Sequence, residues 1–307
     1  MEFLKFLQSI RNPVLDGFFS IVTMLGEETV FILVGLIFFW CISKKQGYYL
    51  LTIGFVGTVL NQFLKLLFRI PRPWVQDPTF KIVESAREQA TGYSFPSGHT
   101  QTAVGIFGGI ARITKNKAFR IICIIICILV PISRMYLGVH TPLDVGVSFV
   151  LAIVMVFMLY PLINKAMESK KGMRTFLFSM IAVSVAYLLF VELFPFPCDI
   201  DAQNYASGVK NAYKILGCIL GLWLGYELDE RIVHFDTKAV WWAQILKFAL
   251  GLIPVIFVKS VLKEPINAIF GGASVADAVR YFLLTFVAAG VWPMTFKFFS
   301  KLGTKKQ

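Results

Sequence analysis

Apolar residues along this chain come in long runs separated by brief polar or basic loops. Nine such runs fall near 29–43, 47–68, 99–113, 119–138, 143–163, 175–195, 211–226, 244–262 and 277–299. They reach or approach the roughly 20 residues that a helix needs to cross about 30 Å of hydrocarbon. The pattern predicts an all-α, polytopic membrane helical bundle of about nine transmembrane helices. The runs at 29–43 and 99–113 are short, and must borrow flanking residues or sit where the bilayer thins. Residues 1–28 differ: Phe3, Leu4, Phe6, Leu7 and Ile10 share one helical face, with Glu2, Lys5 and Arg11 on the other. That arm reads as an interfacial helix. Asn12-Pro13 interrupts it, and 14–25, too short to span alone, is expected to pack against the bundle near one surface.

Composition agrees with a bilayer, since the 307 residues are 57% hydrophobic and 16% charged, with a mean hydropathy of +0.70. The net charge of +12 would suggest nucleic acid in a soluble chain. Here its placement explains it. Threading nine spans puts Lys44-Lys45, the run Lys115 to Arg120, the run Lys165 to Arg174 and the tail Lys301 to Lys306 on one side. By the positive-inside rule that side is cytoplasmic, and it carries the whole excess while the outer side balances. Nucleic acid is therefore not an expected partner. The five cysteines show no metal-type spacing, and the N-terminus lacks the pattern of a cleaved signal peptide. The chain reads as an arm (1–28), a core (29–170) and a set of additional C-terminal helices (171–307), joined near Lys170-Lys171-Gly172.

The polar residues of the outer side fall into three blocks. Lys65 and Arg72 stand seven apart in KLLFRIPRP, two helical turns if the helix continued, although Pro71 and Pro73 are expected to end it first. Alone, such a lysine is equally an end residue that snorkels to the headgroups. In PSGH, Ser97 has the chemistry of a helix N-cap, Gly98 allows close approach to the backbone, and the helix start aims free N–H groups outward. An ordinary capped turn with an idle His99 reads the same way. In SRMYLGVHTPLD, Thr141, Pro142 and Asp144 fit N-cap, N1 and N3 of the next helix. Asp144 also stands close enough to accept the ring N–H of His140 and leave the other nitrogen as a base or nucleophile. Two of the three histidines in the chain lie in these blocks; the third, His234, is in an inner loop. Should the blocks meet, Lys65, Arg72 and Arg134, a Ser-Gly helix start, His99, His140 and Asp144 make a site for a phosphate-sized anion with a nucleophile and a proton donor. No carboxylate cluster or His/Cys grouping suits a metal, so no metal and no cofactor are expected.

Eleven residues in this order and spacing, Lys65, Arg72-Pro73, Pro96-Ser97-Gly98-His99, Ser133-Arg134, His140 and Asp144, resemble the three-part signature of the type 2 phosphatidic acid phosphatase superfamily. That superfamily also includes vanadium haloperoxidases, bacterial acid phosphatases and glucose-6-phosphatases. The resemblance covers 65–144 directly and 29–163 by architecture. It implies that His140 attacks phosphorus to give a phosphohistidine, that Asp144 holds its imidazole, and that His99 protonates the leaving oxygen and later activates water. It implies further that Lys65, Arg72, Arg134, Ser97 and Gly98 hold the nonbridging oxygens. A membrane setting favours phosphatase over peroxidase, with a phosphorylated lipid at the outer face as the first substrate class. A sugar phosphate is the alternative, because nine spans and the stretch NQFLKLLFRIPRPW also resemble the glucose-6-phosphatase branch. Trp74 in that stretch reads as an interfacial anchor. A non-catalytic lipid transporter on the same scaffold is the reading from another class. In the second half, Glu192, Lys214, Lys247, Lys259, Asp277 and Arg280 lie near helix ends and are expected to snorkel, and ELDERIVHFDTKAVWW to form a surface helix or loop.

Overall fold

Polar side chains write several of the helix starts. Asn12 Oδ1 accepts the Leu15 N–H at 3.0 Å, Asn116 Oδ1 that of Phe119 at 3.0 Å and Ser169 Oγ that of Gly172 at 3.0 Å. In the computed structural model, which describes residues 1–303, α1 (Glu2–Ser9), α2 (Pro13–Met24) and α3 (Glu28–Ile37) lead into a π-helical turn at Phe38–Ile42. Then come α4 (Lys44–Phe68), a short α5 (Pro73–Gln76), α6 (Gly98–Ile113), α7 (Lys117–Tyr136) and α8 (Pro142–Ala166). The rest comprises α9 (Lys170–Leu193), α10 (Ala202–Leu228), α11 (Trp241–Ile256), α12 (Lys263–Ile269), α13 (Ser274–Phe286) and α14 (Phe296–Lys301). The described residues contain no strand. Lys305 and Lys306 of the expected inner tail lie outside them.

This is a multi-pass membrane protein, and six or seven of its nine apolar runs form helices that pass as spans by length and composition. Among the described residues, six helical stretches are long and apolar enough to cross: 44–76, 117–136, 142–166, 170–193, 241–261 and 274–301. A seventh is made by α2 with α3 and its π-turn, bent by 47°. The bend joins residues 14–25, expected to be only a packed segment, to the run at 29–43. The two remaining runs are helical for different reasons. α6 has 16 residues, about 24 Å at 1.5 Å per residue, and falls short of the hydrocarbon thickness. α10 has 27 residues, but Lys210, Asn211 and Lys214 dilute the apolar character of its first half.

The chain divides into two compact units, each assembled from separated segments. The first takes residues 1–34, 49–161 and 197–208. Its α6 and α7 form an antiparallel pair over the short turn at 114–116, where Arg120 bonds the Ala111 and Thr114 carbonyls at 3.0 and 2.6 Å. Tyr49 donates its hydroxyl to the Val156 carbonyl at 2.7 Å, tying α4 to α8. The arm does not present one uniform face to lipid. Leu4 is fully buried against Phe80 and Ile82, while Phe3, Phe6 and Ile10 stay exposed. Lys5 pairs with Asp77 at 2.8 Å, and Tyr136 donates to Asp16 at 2.8 Å. The arm thus clamps the 77–82 loop and the end of α7 while keeping an apolar outer edge. Lys5 also depresses the carboxyl of partly exposed Asp77 to about 2, helped by Thr79.

The second unit holds residues 35–48, 162–196 and the chain from 209 onward. Its seam is glycine: a Cβ on Gly217 would meet the Ala278 carbonyl, one on Gly221 the Phe282 carbonyl, and one on Gly225 the Ala289 Cβ at 2.8 Å. Small residues four apart let two helices in a membrane approach backbone to backbone. Two charges expected to snorkel are enclosed instead. Lys247 is fully buried, donating to the Thr237 carbonyl at 3.1 Å with its ammonium 4.4 Å from the Phe296 ring. Arg280 is buried too, bonded to Asp277 and, at 2.9 Å, to the Lys259 carbonyl. The ELDER segment carries α10 into a π-helical turn at Asp229–Val233, closed by His234 in the left-handed region. Three of its acids are paired: Glu227 with Arg174 at 2.6 Å, Asp229 with Lys44 at 2.6 Å and Glu230 with Lys170 at 3.0 Å. Asp229 is almost completely buried, while Arg231, Ile232, His234 and Asp236 stay exposed, so this stretch is a surface turn tied down through its acids.

The glycine seam gives a stability test. Gly221→Leu is expected to cost about 2 kcal/mol or more through overpacking, read as a lowered melting temperature of the detergent-purified protein. Gly17→Ala, with nothing within 4 Å of the added methyl, is expected to leave that temperature unchanged or raise it.

Candidate active site

All three polar blocks meet inside the first unit, at helix ends. Lys65 occupies the last turn of α4, Arg72 the residue before α5, Ser97 to His99 the start of α6, Arg134 the last turn of α7, and His140 with Asp144 the entry to α8. Leu137 and Gly138, the latter at φ 84°, turn the chain from α7 back toward His140. Lys65, Arg72, Ser97, Arg134, His140 and Asp144 are each at least nine-tenths buried. Gly98 and His99 are partly exposed.

Burying three cations is unfavourable unless their donors find acceptors. Backbone carbonyls supply most of them. Lys65 donates to the Tyr93 carbonyl. Arg72 donates to Gly92 at 3.0 Å, Thr91 at 2.7 Å and Val139 at 2.9 Å, using all three nitrogens. Its Nη1 also stands 2.9 Å from His140 Nε2. A guanidinium can only donate, so Nε2 is the bare nitrogen and the ring proton belongs on Nδ1, an assignment from the bonding network. Burial, then the charges of Arg72, Arg134 and Lys65, hold His140 well below its ordinary pKa. A neutral imidazole whose Nε2 lone pair accepts from Arg72 follows.

Asp144 is placed less simply than the sequence suggests. The reciprocal cap with Thr141 is present, Thr141 N–H to Oδ2 at 2.8 Å and Asp144 N–H to Thr141 Oγ1 at 3.3 Å. Oδ2 also accepts the Ser94 hydroxyl at 2.6 Å. His140 Nδ1 is 3.5 Å from that same oxygen, an ion-pair distance longer than a hydrogen bond. One carboxylate oxygen thus faces Ser94, Thr141 and the imidazole together. Ser97 caps α6, accepting the Thr100 N–H at 3.4 Å, while its own N–H bonds the Asp144 carbonyl at 3.2 Å and locks two helix starts together.

Several donors in this cluster find no protein partner. Nε and Nη2 of Arg134 and Nε2 of His99 are buried and unbonded, whereas Nη1 of Arg134 is held by Thr23 Oγ1 at 2.8 Å. Arg134, His140, Arg72 and Lys65 all act electrostatically on His99. The arrangement concentrates positive charge and free N–H groups around a bare imidazole nitrogen, which suits a tetrahedral oxyanion. Among the described residues, no three His, Cys, Asp or Glu side chains gather as a metal-ligand set.

Some participants carry no signal in the chain. Ser94 and Thr23 look like any hydroxyl residues in a loop and a helix. Asn61, buried one turn before Lys65 and donating to the Pro96 carbonyl at 3.3 Å, could have been found as a polar residue in an apolar run. Trp74 is partly buried. It packs against Ala86, Ala90, Leu137 and Val139, with Arg72 and Arg87 at 5.9 and 5.4 Å from its ring.

An all-helical membrane fold presenting such an anion site defines a class of phosphoryl-handling membrane proteins, and sequence comparison places it more narrowly. Residues 45–168 match the PAP2 superfamily, and residues 213–306 match the PAP2 superfamily phosphatase transmembrane extension. An undecaprenyl-diphosphatase of Sulfolobus acidocaldarius is 30% identical over 153 residues, covering 49% of this chain and 72% of that protein. A probable sphingosine-1-phosphate phosphatase of Dictyostelium discoideum is 30% identical over 71% of this chain and 54% of the relative. Mouse sphingosine-1-phosphate phosphatase 1 is 25% identical over 84% of this chain and 62% of its own length. The chain therefore spans just over half the length of these last two relatives. It belongs to the PAP2 superfamily.

The imidazole assignment is testable without substrate. With only three histidines in the chain, nitrogen NMR of histidine-labelled protein, assigned with His140→Gln, is expected to show His140 neutral with its proton on Nδ1 at pH 6. The sign follows from the lowered pKa: the ring stays neutral below the pH at which a free histidine protonates. A charged His140 at pH 7 contradicts the geometry.

Proposed function

We propose that this protein is an integral membrane phosphatase that hydrolyses phosphate monoesters or diphosphates of lipids through a phosphohistidine. The observation that carries the reading is the bare His140 Nε2 inside a buried group of three cations, two of whose donors at Arg134 remain unbonded. In the first step Nε2 attacks phosphorus, the P–N bond forms and the P–O bond to the leaving group breaks, with His99, protonated once the bound anion offsets the surrounding cations, supplying the leaving oxygen's proton. In the second, His99 takes a proton from water, whose oxygen displaces the imidazole and releases inorganic phosphate. For a diphosphate, the terminal phosphoryl transfers and the lipid monophosphate leaves. Lys65, Arg72, Arg134, the Gly98 N–H and Ser97 hold the nonbridging oxygens, which is most of what phosphoryl transfer asks of a protein. Asp144, through Ser94 and Thr141, keeps the ring oriented.

Two observations favour a lipid over a soluble sugar phosphate. The relatives above are named for phosphorylated or diphosphorylated lipids. Just after His140 in the chain, moreover, α8 turns an apolar face outward through Leu143, Gly146, Val147 and Val150, a surface suited to lie along hydrocarbon. The basic loops of the opposite side support a site on the extracytoplasmic face and a cytoplasmic C-terminus.

Purified protein in detergent micelles is expected to release inorganic phosphate from lipid monophosphates or lipid diphosphates in the presence of a chelator. His140→Ala is expected to abolish release, and His99→Ala to lower it at least about a hundredfold, as loss of a general acid does. Release from glucose 6-phosphate alone would reassign the substrate, and release from no phosphate ester would support the non-catalytic reading.

A further inference from the structure

The N-terminal helices lie outside the PAP2 match at 45–168, yet α2 reaches the site at two places. Arg134 is fully buried, and its one bonded nitrogen, Nη1, donates to Thr23 Oγ1 at 2.8 Å. Thr23 is itself 2% exposed, so water does not compete for that oxygen. A guanidinium is a flat fork with two usable edges. Fastening Nη1 to α2 leaves the Nε and Nη2 edge, whose donors are both unbonded, as the face for a bidentate oxyanion. Three residues on, Gly26 lies against the first turn of α6: a Cβ there would stand 2.8 Å from the His99 carbonyl and 3.0 Å from its Cβ. Glu27, next along the bend, accepts from Gln89 at 2.7 Å and holds the chain that leads to Ser94. α2 is itself anchored by Asp16 to the Tyr136 hydroxyl and by Phe19, whose ring is 4.4 Å from that of Tyr136.

From this we infer that α2 is a positioning element of the active site, and that Thr23 is the positioning residue that turns the Nε and Nη2 edge of Arg134 toward the bound phosphoryl group. The inference rests on the proposed role of Arg134 as a phosphate ligand. Without Thr23 Oγ1, the long arginine side chain loses its fixed plane, and the anion must pay for ordering it. A hydroxyl is required at this position, since valine has the same shape and no acceptor. Serine keeps the acceptor.

The test compares wild type, Thr23→Val and Thr23→Ser in detergent, with phosphate release from a lipid phosphate and inhibition by orthovanadate as readouts. Thr23→Val is expected to stay folded with a lowered melting temperature, since it strips the buried guanidinium of its one acceptor, to raise KM and the vanadate inhibition constant about tenfold, and to change kcat less, as loss of a hydrogen bond to a charged group predicts. Thr23→Ser is expected to restore both constants. Vanadate binding, followed by its spectrum, is expected to be no weaker in Thr23→Val/Arg134→Ala than in Arg134→Ala alone, because the threonine acts through the arginine. An active wild type whose Thr23→Val variant has wild-type constants overturns the inference, as does a full additional loss in the Arg134→Ala background. A wild type that neither releases phosphate nor binds vanadate overturns the phosphatase reading itself, and the role of Thr23 falls with it.

Discussion

The site depends on keeping three positive side chains together out of water with one carboxylate among them. Unit charges a few ångströms apart interact by several kcal/mol at the effective dielectric of a protein, and desolvation adds to the cost. The fold offsets that cost with peptide carbonyls. Thr91, Gly92 and Tyr93 turn three successive carbonyls onto Arg72 and Lys65, and Val139 adds a fourth from the turn before His140. Carbonyls can do this only where the backbone is not bonding to itself, which is why the site sits on helix ends and a loop. That loop must then be rigid. Ser94 N–H to the Ile70 carbonyl at 2.8 Å, Val83 N–H to that of Leu137 at 3.1 Å, and the clamp of α1 on residues 77–82 provide the stiffness.

The same constraint explains what the sequence made legible. Lys65, Arg72, His99, Arg134, His140 and Asp144 are polar letters in an apolar text, and their spacing to prolines and caps located each at a helix end before any coordinates. Their partners are mostly backbone oxygens, which have no letter. Nothing in Thr91-Gly92-Tyr93 announces three carbonyls aimed at cations, and nothing in Thr23 distinguishes it from a helix hydroxyl bonding its own backbone. Asp144 shows a subtler limit. Spacing revealed both its cap and its closeness to His140, yet the carboxylate divides itself among Ser94, Thr141 and the imidazole, and one oxygen serves all three.

The nine apolar runs are not all confirmed as spans, and the two left over are the ones where hydropathy and packing diverge. α6 is short because its role is to present an N-terminus to the site, and its inner face is buried against Leu50 and Ile53 through Gly105 and Gly109. A helix enclosed by protein does not need the length of one exposed to lipid. α10 tolerates lysines for a related reason. Its apolar half joins the second unit through Gly217, Gly221 and Gly225, a four-residue repeat visible in the sequence, and its polar half lies where Lys210 stands 3.8 Å from Asp277. Lys247 and Arg280 follow the same logic, since buried carbonyls, an aromatic face and a carboxylate replace the water they would otherwise have to reach.

The bond between Arg72 and His140 connects binding to chemistry. Arg72 Nη1 donates toward the lone pair that the proposed mechanism needs for attack. A phosphate oxygen is a far stronger acceptor for a guanidinium than a neutral imidazole, because the hydrogen bond to it is charge-assisted on both sides. Arrival of the anion therefore draws the Arg72 N–H away from Nε2 and leaves the lone pair facing phosphorus. The same charges that bind the anion keep the imidazole from protonating beforehand. A neutral ligand would bring neither effect, so nucleophile release and charge recognition become one event on this geometry. On the proposed mechanism the cation cluster both selects the substrate and readies the histidine, so weakening any one of its members damages both functions together.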